Sequence, residues 1–468
     1  MTGLPSGWAR VPLGDLLLRI EAGKSFQCQT RPALDGEWGV IKVSAMTRGI
    51  FLEQENKATI PGTAVNESYE IQAGDILLSR ANTQEYVGAS VLVGSTRPRL
   101  LLSDKSLRLV PASEINRTWL AYLLSSPVIR REISAKATGT KHSMRNISQD
   151  ALRKIEVLVP PTAEQERIVL ALEHQLSRLD AGVAGITSVL TRSTALRNLL
   201  TEMATTGGMP AADRVVAPLT GAGVDDGDLP TLPSGWRWER LGDIADVTGG
   251  VTKDSKKQAN PAFVEVPYLR VANVQRGRLD LREVTTIRIP VDQAKRLYLQ
   301  VGDVLLNEGG DRDKLGRGWI WEGQIADCVH QNHVFRARIR DDVLHPKLLA
   351  WHANGFGKGW CEVNGKQSVN LASISLSKIR LLPVSVPPHG DQERLVSEID
   401  ARAAALDAAV SAAEKSLTRA VQLRRTVLTH ALNGRFNSQS VGDEPASALM
   451  GRVLYERTEA GNARWQHR

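Results

Sequence analysis

Side chains suited to nucleic-acid contacts follow short apolar runs in both halves of this sequence. Arginine, lysine, asparagine and glutamine hold phosphates and hydrogen-bond to base edges. Any one of them alone is more typical of solvated surface, but as a set at corresponding places they predict a DNA-binding surface built from loops. The predicted DNA-binding residues are Lys42, Arg48, Arg80, Asn82, Lys141, His142, Arg145, Lys253, Lys256, Lys257, Arg270, Asn273, Arg276, Arg312, Lys314, Arg317, Gln331, Lys366 and Gln367.

Three stretches of the sequence resemble known catalytic or nucleotide-binding motifs, but each lacks a residue or a structural context that the motif requires. Gly23-Lys24-Ser25 has Leu18 where a P-loop requires glycine. The glycines at 355, 357 and 359 do not follow a buried strand into a helix, so we interpret them as a surface loop. Valine precedes both Pro160-Pro161 and Pro387-Pro388, so the signature of amino-methyltransferases is missing. We therefore predict no catalytic residues.

The cysteines and histidines do not form a metal-site pattern. His330 and His333 lie beside Cys328, but no second cluster completes four ligands, so we predict no metal. Three cysteines are too few for a disulfide framework, which favours a reducing, cytoplasmic setting.

The charge balance favours an acidic partner without requiring one. The net charge is +8 and the pI is near 9.4, as expected for a polyanion-binding protein or for a mildly basic soluble protein. No apolar run reaches the roughly 18 residues of a membrane span. The start, MTGLPSGWARVPLGD, has no signal-peptide pattern, so a cytoplasmic protein is expected.

The chain contains one unit twice. LPSGW occurs at Leu4–Trp8 and again at Leu232–Trp236, 228 residues later. Further matches follow in the same order at nearly the same offset: LGD at 13–15 and 241–243, GDILL at 74–78 and GDVLL at 302–306, VPP at 159–161 and 386–388, and QER at 165–167 and 392–394. This ordered series indicates a tandem duplication with small insertions and deletions.

Each repeat begins with a β-rich α+β globule. Apolar runs of four to seven residues between Gly, Pro and Asn predict strands. Short helices are predicted at Trp119–Ser134 and at His345–Asn354.

Each repeat ends in a long helix with a heptad-like seam. Pro160-Pro161 and Thr162 suit a helix start, and Gly207-Gly208 and Gly434 suit helix ends. The apolar positions are Ile168, Leu172, Leu176, Leu179, Val183, Ile186 and Leu190, then Leu395, Ile399, Ala403, Leu406, Val410, Ala413 and Leu417. A seam of about 40–45 residues needs a long partner, and the other copy is the obvious one.

We therefore predict an α+β chain in which two tandem β-rich globules are separated by two long helices. These helices form an intramolecular antiparallel coiled coil with pseudo-twofold symmetry. The predicted boundaries are 1–158 (globule), 159–207 (helix), 208–231 (flexible linker), 232–385 (globule), 386–434 (helix) and 435–468 (mobile tail).

The doubled motifs resemble the specificity subunit of type I restriction–modification systems, up to about residue 433. The resemblance rests on LPSGW followed by LGD, on GD[IV]LL, on Asn-Ile or Asn-Leu before Lys-Ile, and on PPxxxQERxV at the start of each long helix. None of these motifs is highly specific alone; their doubled order is.

The resemblance implies that each globule is a target recognition domain for one half of a split double-stranded DNA sequence. It implies that the helices fix the spacing and dock two modification subunits, which bind S-adenosylmethionine and methylate adenine. Two restriction subunits, using ATP and Mg, would complete the nuclease. The specificity subunit itself would bind no cofactor, catalyse nothing and contact no membrane.

Other interpretations remain open. A stand-alone methyltransferase–nuclease would need an S-adenosylmethionine loop, which the sequence lacks. A coiled-coil scaffold whose globules bind proteins, or the specificity part of another restriction–modification type, would fit the same elements. Salt-dependent DNA binding would separate a DNA reader from the scaffold.

Overall fold

The computed structural model describes residues 4–141, 144–208, 214–215, 219, 223–367, 372–436, 440 and 442–466. The chain divides into two compact units. The first contains Met1–Gly185 and Lys415–Arg468, and the second contains Ile186–Glu414. Each unit therefore combines one globule with part of both long helices.

The first globule is built on a four-stranded antiparallel sheet. Its strands are, in spatial order, Leu17–Ala22, Ser106–Pro111, Ile76–Ser79 and Ser90–Leu92. Smaller sheets contain Asn56–Ala58, Gly39–Ile41 and Leu100–Leu101; Ala9–Pro12 and Glu156–Val159; and Thr138–Lys141, Met144–Asn146 and Ala81–Asn82.

The second globule repeats this layout. Its four-stranded sheet has the order Ala245–Gly249, Val334–Ile339, Val304–Asn307 and Gly318–Ile320. The smaller sheets contain Thr285–Ile289, Val264–Leu269 and Val329–His330; Arg237–Arg240 and Pro383–Val386; and Gly309–Gly310, Ala372–Ser373 and Lys366–Gln367. The hairpin Val274–Gln275 and Arg278–Leu279 occurs in the second globule.

The strand Ile76–Ser79 and its equivalent Val304–Asn307 pair with their neighbours in the same register. Ile76 faces Leu92 on one side and Leu109 on the other. Val304, 228 residues later, faces Ile320 and Ala337 at the same offset. The predicted α+β duplication is confirmed.

The short helices differ from the prediction in two places. The first predicted helix is broken into Arg117–Ser125 and Pro127–Lys136. Ser126 is extended because the residue before proline disfavours the helical conformation, and its hydroxyl caps the second helix. In the second globule Pro346–Asn354 is helical as predicted.

The surface-loop interpretation of the glycines at 355–359 is wrong. The helix Phe356–Asn364 buries Gly357, Trp360, Cys361 and Asn364. Buried positions three or four residues apart form one helix face, and their packing outweighs the low helix propensity of glycine.

The two long helices extend over Thr162–Thr206 and His389–Ala431, 45 and 43 residues, as predicted. In the first unit, Leu172 and Leu176 share a core with Leu428 and Ala431. In the second unit, Leu200 and Ala204 share a core with Leu395, Ile399 and Ala403. Early residues of one helix thus meet late residues of the other in both units, which confirms antiparallel pairing.

A buried glutamine joins each long helix to its globule in both repeats. The Gln165 amide donates to the Pro160 carbonyl (3.1 Å) and accepts from the Asn116 N–H (3.1 Å). The Gln392 amide donates to the Pro387 carbonyl (3.0 Å) and accepts from the His345 N–H (2.6 Å), and it also donates to the Val343 carbonyl (2.9 Å). Asn116 and His345 each begin a short helix, so this contact fixes equivalent elements.

The tryptophan of each LPSGW motif packs where the long helix of the other repeat ends. A Cβ at Gly434 would lie 2.6 Å from Pro5 and 3.2 Å from Trp8. A Cβ at Gly207 would lie 3.1 Å from Trp236. Both glycines have positive φ, 68° and 70°, as is usual after a helix. A larger residue at either position would meet strain and a steric clash.

Residues 446–466 form a helix, so the prediction of a mobile tail is wrong there. Ala446, Leu449 and Val453 of the helix Ala446–Gln466 are buried in the first globule. Arg457 forms an ion pair with Asp15 at 2.8 Å. These three apolar residues are spaced three and four positions apart, so they lie on one helix face. Three residues are too short a pattern to predict a helix in a segment that is otherwise polar.

The end of the predicted flexible linker is anchored on the second globule. Asp226 forms an ion pair with Arg240 (2.8 Å) and accepts from the Trp360 indole (2.9 Å). Burial raises the pKa of Asp226, but the hydrogen bonds from Arg240 and Trp360 outweigh it and leave that pKa below its usual value. The Asn364 amide bonds both backbone groups of Asp225 (2.9 and 2.6 Å). The linker prediction is therefore wrong for 225–230; the other boundaries stay predictions.

Candidate nucleic-acid interface

The small three-stranded sheet of each globule brings predicted site residues together. In the first globule, Asn82 faces Arg145 and Ala81 faces Asn146. In the second, Gly310 faces Ala372 and Gly309 faces Ser373, while Lys366 also faces Ser373. Equivalent strands thus support different side chains.

Arg80 and Arg145 carry positive charge at the first of these sheets. Arg145 donates to the carbonyls of Gly139 (3.1 Å) and Ala137. The Nε atoms of both arginines are buried without a hydrogen-bond partner. Asn82 is partly used by the protein, since its amide donates to the Ser79 hydroxyl (3.3 Å) and accepts from the Thr83 N–H (2.8 Å).

A basic group in the second globule contains Arg276, from the hairpin 274–279, and Arg312, Lys314 and Arg317, from the loop after the strand Val304–Asn307. Arg276 donates to the carbonyls of Asn354 (2.8 Å) and Asp313 (2.9 Å), and Arg312 donates to that of Glu362 (3.1 Å). Lys314 forms an ion pair with Asp311. These contacts hold the side chains in place.

Two arginines of this basic group lie close together. Burial first, and then the charge of Arg317, lower the pKa of Arg276. Burial also lowers the pKa of Arg317. Like charges held near each other are relieved by an anion, and a backbone phosphate is suitable.

Other predicted residues are scattered over the described surface. Arg48, Lys253, Lys256, Lys366 and Gln367 are exposed. Lys42 forms an ion pair with Glu55 at 3.4 Å. Gln331 accepts from the Val271 N–H at 3.5 Å. His142 and the side chains of Lys141 and Lys257 lie outside the described residues.

Asn273 is a structural residue, which corrects its prediction as a DNA contact. It is 3% exposed, and its amide donates to the carbonyls of Asp280 (2.9 Å) and Glu283 (2.8 Å). Its oxygen accepts from the Arg270 N–H (2.8 Å). Arg270 and Asn273 line a cleft of about 340 Å³. Residue type alone could not show that the protein uses all of these groups itself.

Sequence reasoning missed three side chains beside the small sheets: Lys105, Glu308 and His333. Lys105 and His333 are exposed and occupy equivalent positions 228 residues apart. His333 was considered only as a metal ligand. The offset of 228 residues, applied to Arg80, identifies Glu308, and the same offset relates Lys105 to His333.

The described residues contain no group of three or more His, Cys, Asp or Glu side chains placed to hold a metal ion. The ring Nδ1 of His330 donates to the Val334 carbonyl (2.7 Å), and burial lowers the pKa of this histidine to about 4. Burial raises the pKa of Cys328 to about 12. Both side chains therefore belong to the core.

None of the helices in the described part of the chain is both long and apolar enough to span a bilayer.

Residues 5–186 match the model of the type I restriction modification DNA specificity domain. The chain is 32% identical to the EcoEI specificity subunit of Escherichia coli over 204 residues, 43% of this chain and 34% of that one. It is 22% identical to the StySPI specificity subunit of Salmonella potsdam, across 98% of this chain and 97% of that one.

Two solved structures share the fold. One, described as the structural basis underlying complex assembly and conformational transition of the type I R-M system, has a TM-score of 0.65 at 20% identity and covers 93% of this chain and 100% of its own. The crystal structure of the HsdS subunit from Thermoanaerobacter tengcongensis has a TM-score of 0.53 at 19% identity, covering 92% and 98%.

Residues 5–186 therefore resemble a DNA specificity domain, and the chain as a whole shares the fold of these two structures. Across nearly its whole length the chain is similar to the specificity subunits of type I restriction enzymes.

Proposed function

We propose that this chain reads a bipartite double-stranded DNA target, one half with each globule, and itself catalyses nothing. The observation that carries the proposal is a duplicated scaffold with unlike loops. After the equivalent strands Ile76–Ser79 and Val304–Asn307, the chain continues as RANTQEY in one repeat and as EGGDRDKLGRG in the other. Two equal scaffolds with different donors and acceptors suit two different half-sites.

The long helices are the elements that we propose to set the distance between the two half-sites and to bind the partner subunits. Once one globule is bound, the other binds intramolecularly, at high effective concentration. We propose that the paired helices set the gap between half-sites and dock two modification and two restriction subunits in the cytoplasm. S-adenosylmethionine, ATP and Mg would be bound by those subunits.

The test is a map of methylated adenines in cells with and without this gene. A split motif with a fixed gap, present only with the gene, is expected. A continuous motif, or no difference between the two maps, would overturn the proposal.

A helix variant sharpens this test. Seven residues are removed from each helix, between Asp180 and Arg197 and between Asp407 and Arg424, which form ion pairs within their own units. A heptad is about 10 Å, or about three base pairs. The two half-sites should stay the same while the gap shortens; an unchanged gap would contradict the spacing role.

A further inference from the structure

One backbone position is held identically in the two repeats but carries opposite chemistry. The Arg80 N–H donates to the Lys105 carbonyl (2.8 Å), and the Arg80 carbonyl accepts from Ile147 (3.0 Å). The Glu308 N–H donates to the His333 carbonyl (3.0 Å), and the Glu308 carbonyl accepts from Ile374 (2.9 Å). The position adjoins the small sheet that carries the candidate interface in each globule.

The side chains at this position differ in their hydrogen-bond and ion-pair partners. That of Arg80 makes no hydrogen bond or ion pair with the described part of the protein, and its Nε is buried without a partner. The Glu308 carboxylate is fixed by the ring Nδ1 of His333 at 2.7 Å. An arginine offers only donors, whereas a carboxylate offers acceptors.

A shared phosphate contact does not explain this position. Equivalent scaffolds that hold DNA in the same way would keep a cation beside a phosphate in both repeats, and Glu308 would repel it. The edges of different bases, unlike phosphates, can present either acceptors or donors to the protein. Arginine pairs with the acceptors of guanine, and a carboxylate accepts from the amino group of cytosine.

We propose that Arg80 and Glu308 are specificity-determining residues, each for one base pair of its own half-site. Arg80 selects guanine, and Glu308, oriented by His333, selects a base that presents an amino group. This inference rests on the proposed function and names the residues that differentiate the two half-sites.

The experiment selects DNA from a random duplex library with the tagged full-length chain, purified from its host with the subunits that accompany it. In Arg80→Glu, the preference for guanine at one position of one half-site should fall by about 5- to 150-fold, the range of one bidentate base contact. A base with an amino group should replace it, while the other half-site and the gap remain unchanged.

Arg131→Glu is the matched control. Arg131 is exposed on the helix Pro127–Lys136 of the same globule, so it makes the same charge reversal away from the small sheet. The reciprocal variant, Glu308→Arg, should introduce guanine into the other half-site. The unaltered half-site reports folding in each case.

The outcomes are distinguishable. Uniformly weaker binding with the same motif in both Arg80→Glu and Glu308→Arg overturns the inference and leaves the proposed function intact. If Arg80→Glu binds nothing, Glu308→Arg decides, because no new guanine there also overturns the inference. A continuous motif selected by the wild-type chain overturns the proposed function itself.

Discussion

The two repeats agree in the buried contacts that join each long helix to its globule and differ in the side chains beside the small sheets. Gln165 and Gln392 make corresponding buried hydrogen bonds. Arg80 and Glu308 share a backbone setting and carry opposite charge. Duplication thus preserved the contacts that shape a globule, while the positions at the small sheet diverged.

The repeats also differ in what covers them. The first globule is covered by the C-terminal helix, through Leu449 and Val453. The second globule is bound by the end of the linker, through the Asp226 carboxylate and the Pro230 carbonyl. The two similar globules are therefore stabilised by different additional segments. The following substitutions affect one repeat more than the other.

The largest effect is expected from Asp226→Ala, which acts on the second repeat alone. It removes the Asp226 carboxylate from beside the Arg240 guanidinium, whose side chain is 8% exposed. We expect a loss of roughly 3 kcal/mol in the free energy of unfolding of the second unit and new protease cleavage near 225–230. Hydrogen exchange resolved by unit measures the first effect, and limited proteolysis measures the second.

The control is Asp228→Ala, because Asp228 is exposed in the same segment. The pKa of Asp226 lies below its usual 3.8, so the ion pair contributes fully above that value and fades as the pH falls below it. The difference between wild type and Asp226→Ala should therefore shrink in acid. Equal stability of both proteins at neutral pH would show that the linker is not anchored.

Gln392→Ala and Gln165→Ala test the shared contact. Gln392→Ala should lower the free energy of unfolding by about 2 kcal/mol and Gln165→Ala by about 1.5 kcal/mol, since unpaired buried groups remain. Gln392 loses more because it also donates to Val343. Denaturant midpoints measure both, with exposed Gln72→Ala as the control. A larger loss for Gln165→Ala would reverse the expected order.

The smallest difference is expected for the LPSGW tryptophans. The Trp8 indole donates to Glu164, which is 1% exposed, at 2.9 Å. Burial raises the pKa of Glu164, and the Trp8 hydrogen bond opposes that rise. Trp8→Phe should cost about 1–2 kcal/mol, and Trp236→Phe, without such a carboxylate, under about 1 kcal/mol. Thermal unfolding of both variants measures this; equal losses would remove the asymmetry.

Sequence periodicity was enough for the duplication, the long helices and their pairing. The repeated order of motifs and the heptad pattern each extend over many residues, so a few residues that depart from them do not change the prediction. The C-terminal helix and the helix Phe356–Asn364 were missed because three or four buried residues leave only a short pattern. Tertiary packing stabilises both.

The candidate site was predictable only by residue type. Arg80 and Arg145 meet at one sheet, but Asn273 is consumed by three backbone groups. Whether a polar side chain is spent on its own fold depends on neighbours that are distant in sequence. The comparison of equivalent positions adds information that residue type cannot give, as Arg80 and Glu308 show.

The packing of each LPSGW motif against the other repeat's terminal glycine has a consequence for gene architecture. Gly434 touches Pro5 and Trp8, just as Gly207 touches Pro233 and Trp236. The first LPSGW motif and the end of the second long helix therefore meet as the second motif and the end of the first long helix do. A chain with its halves transposed, in which each LPSGW motif still lies beside a terminal glycine, is therefore expected to keep both of these contacts.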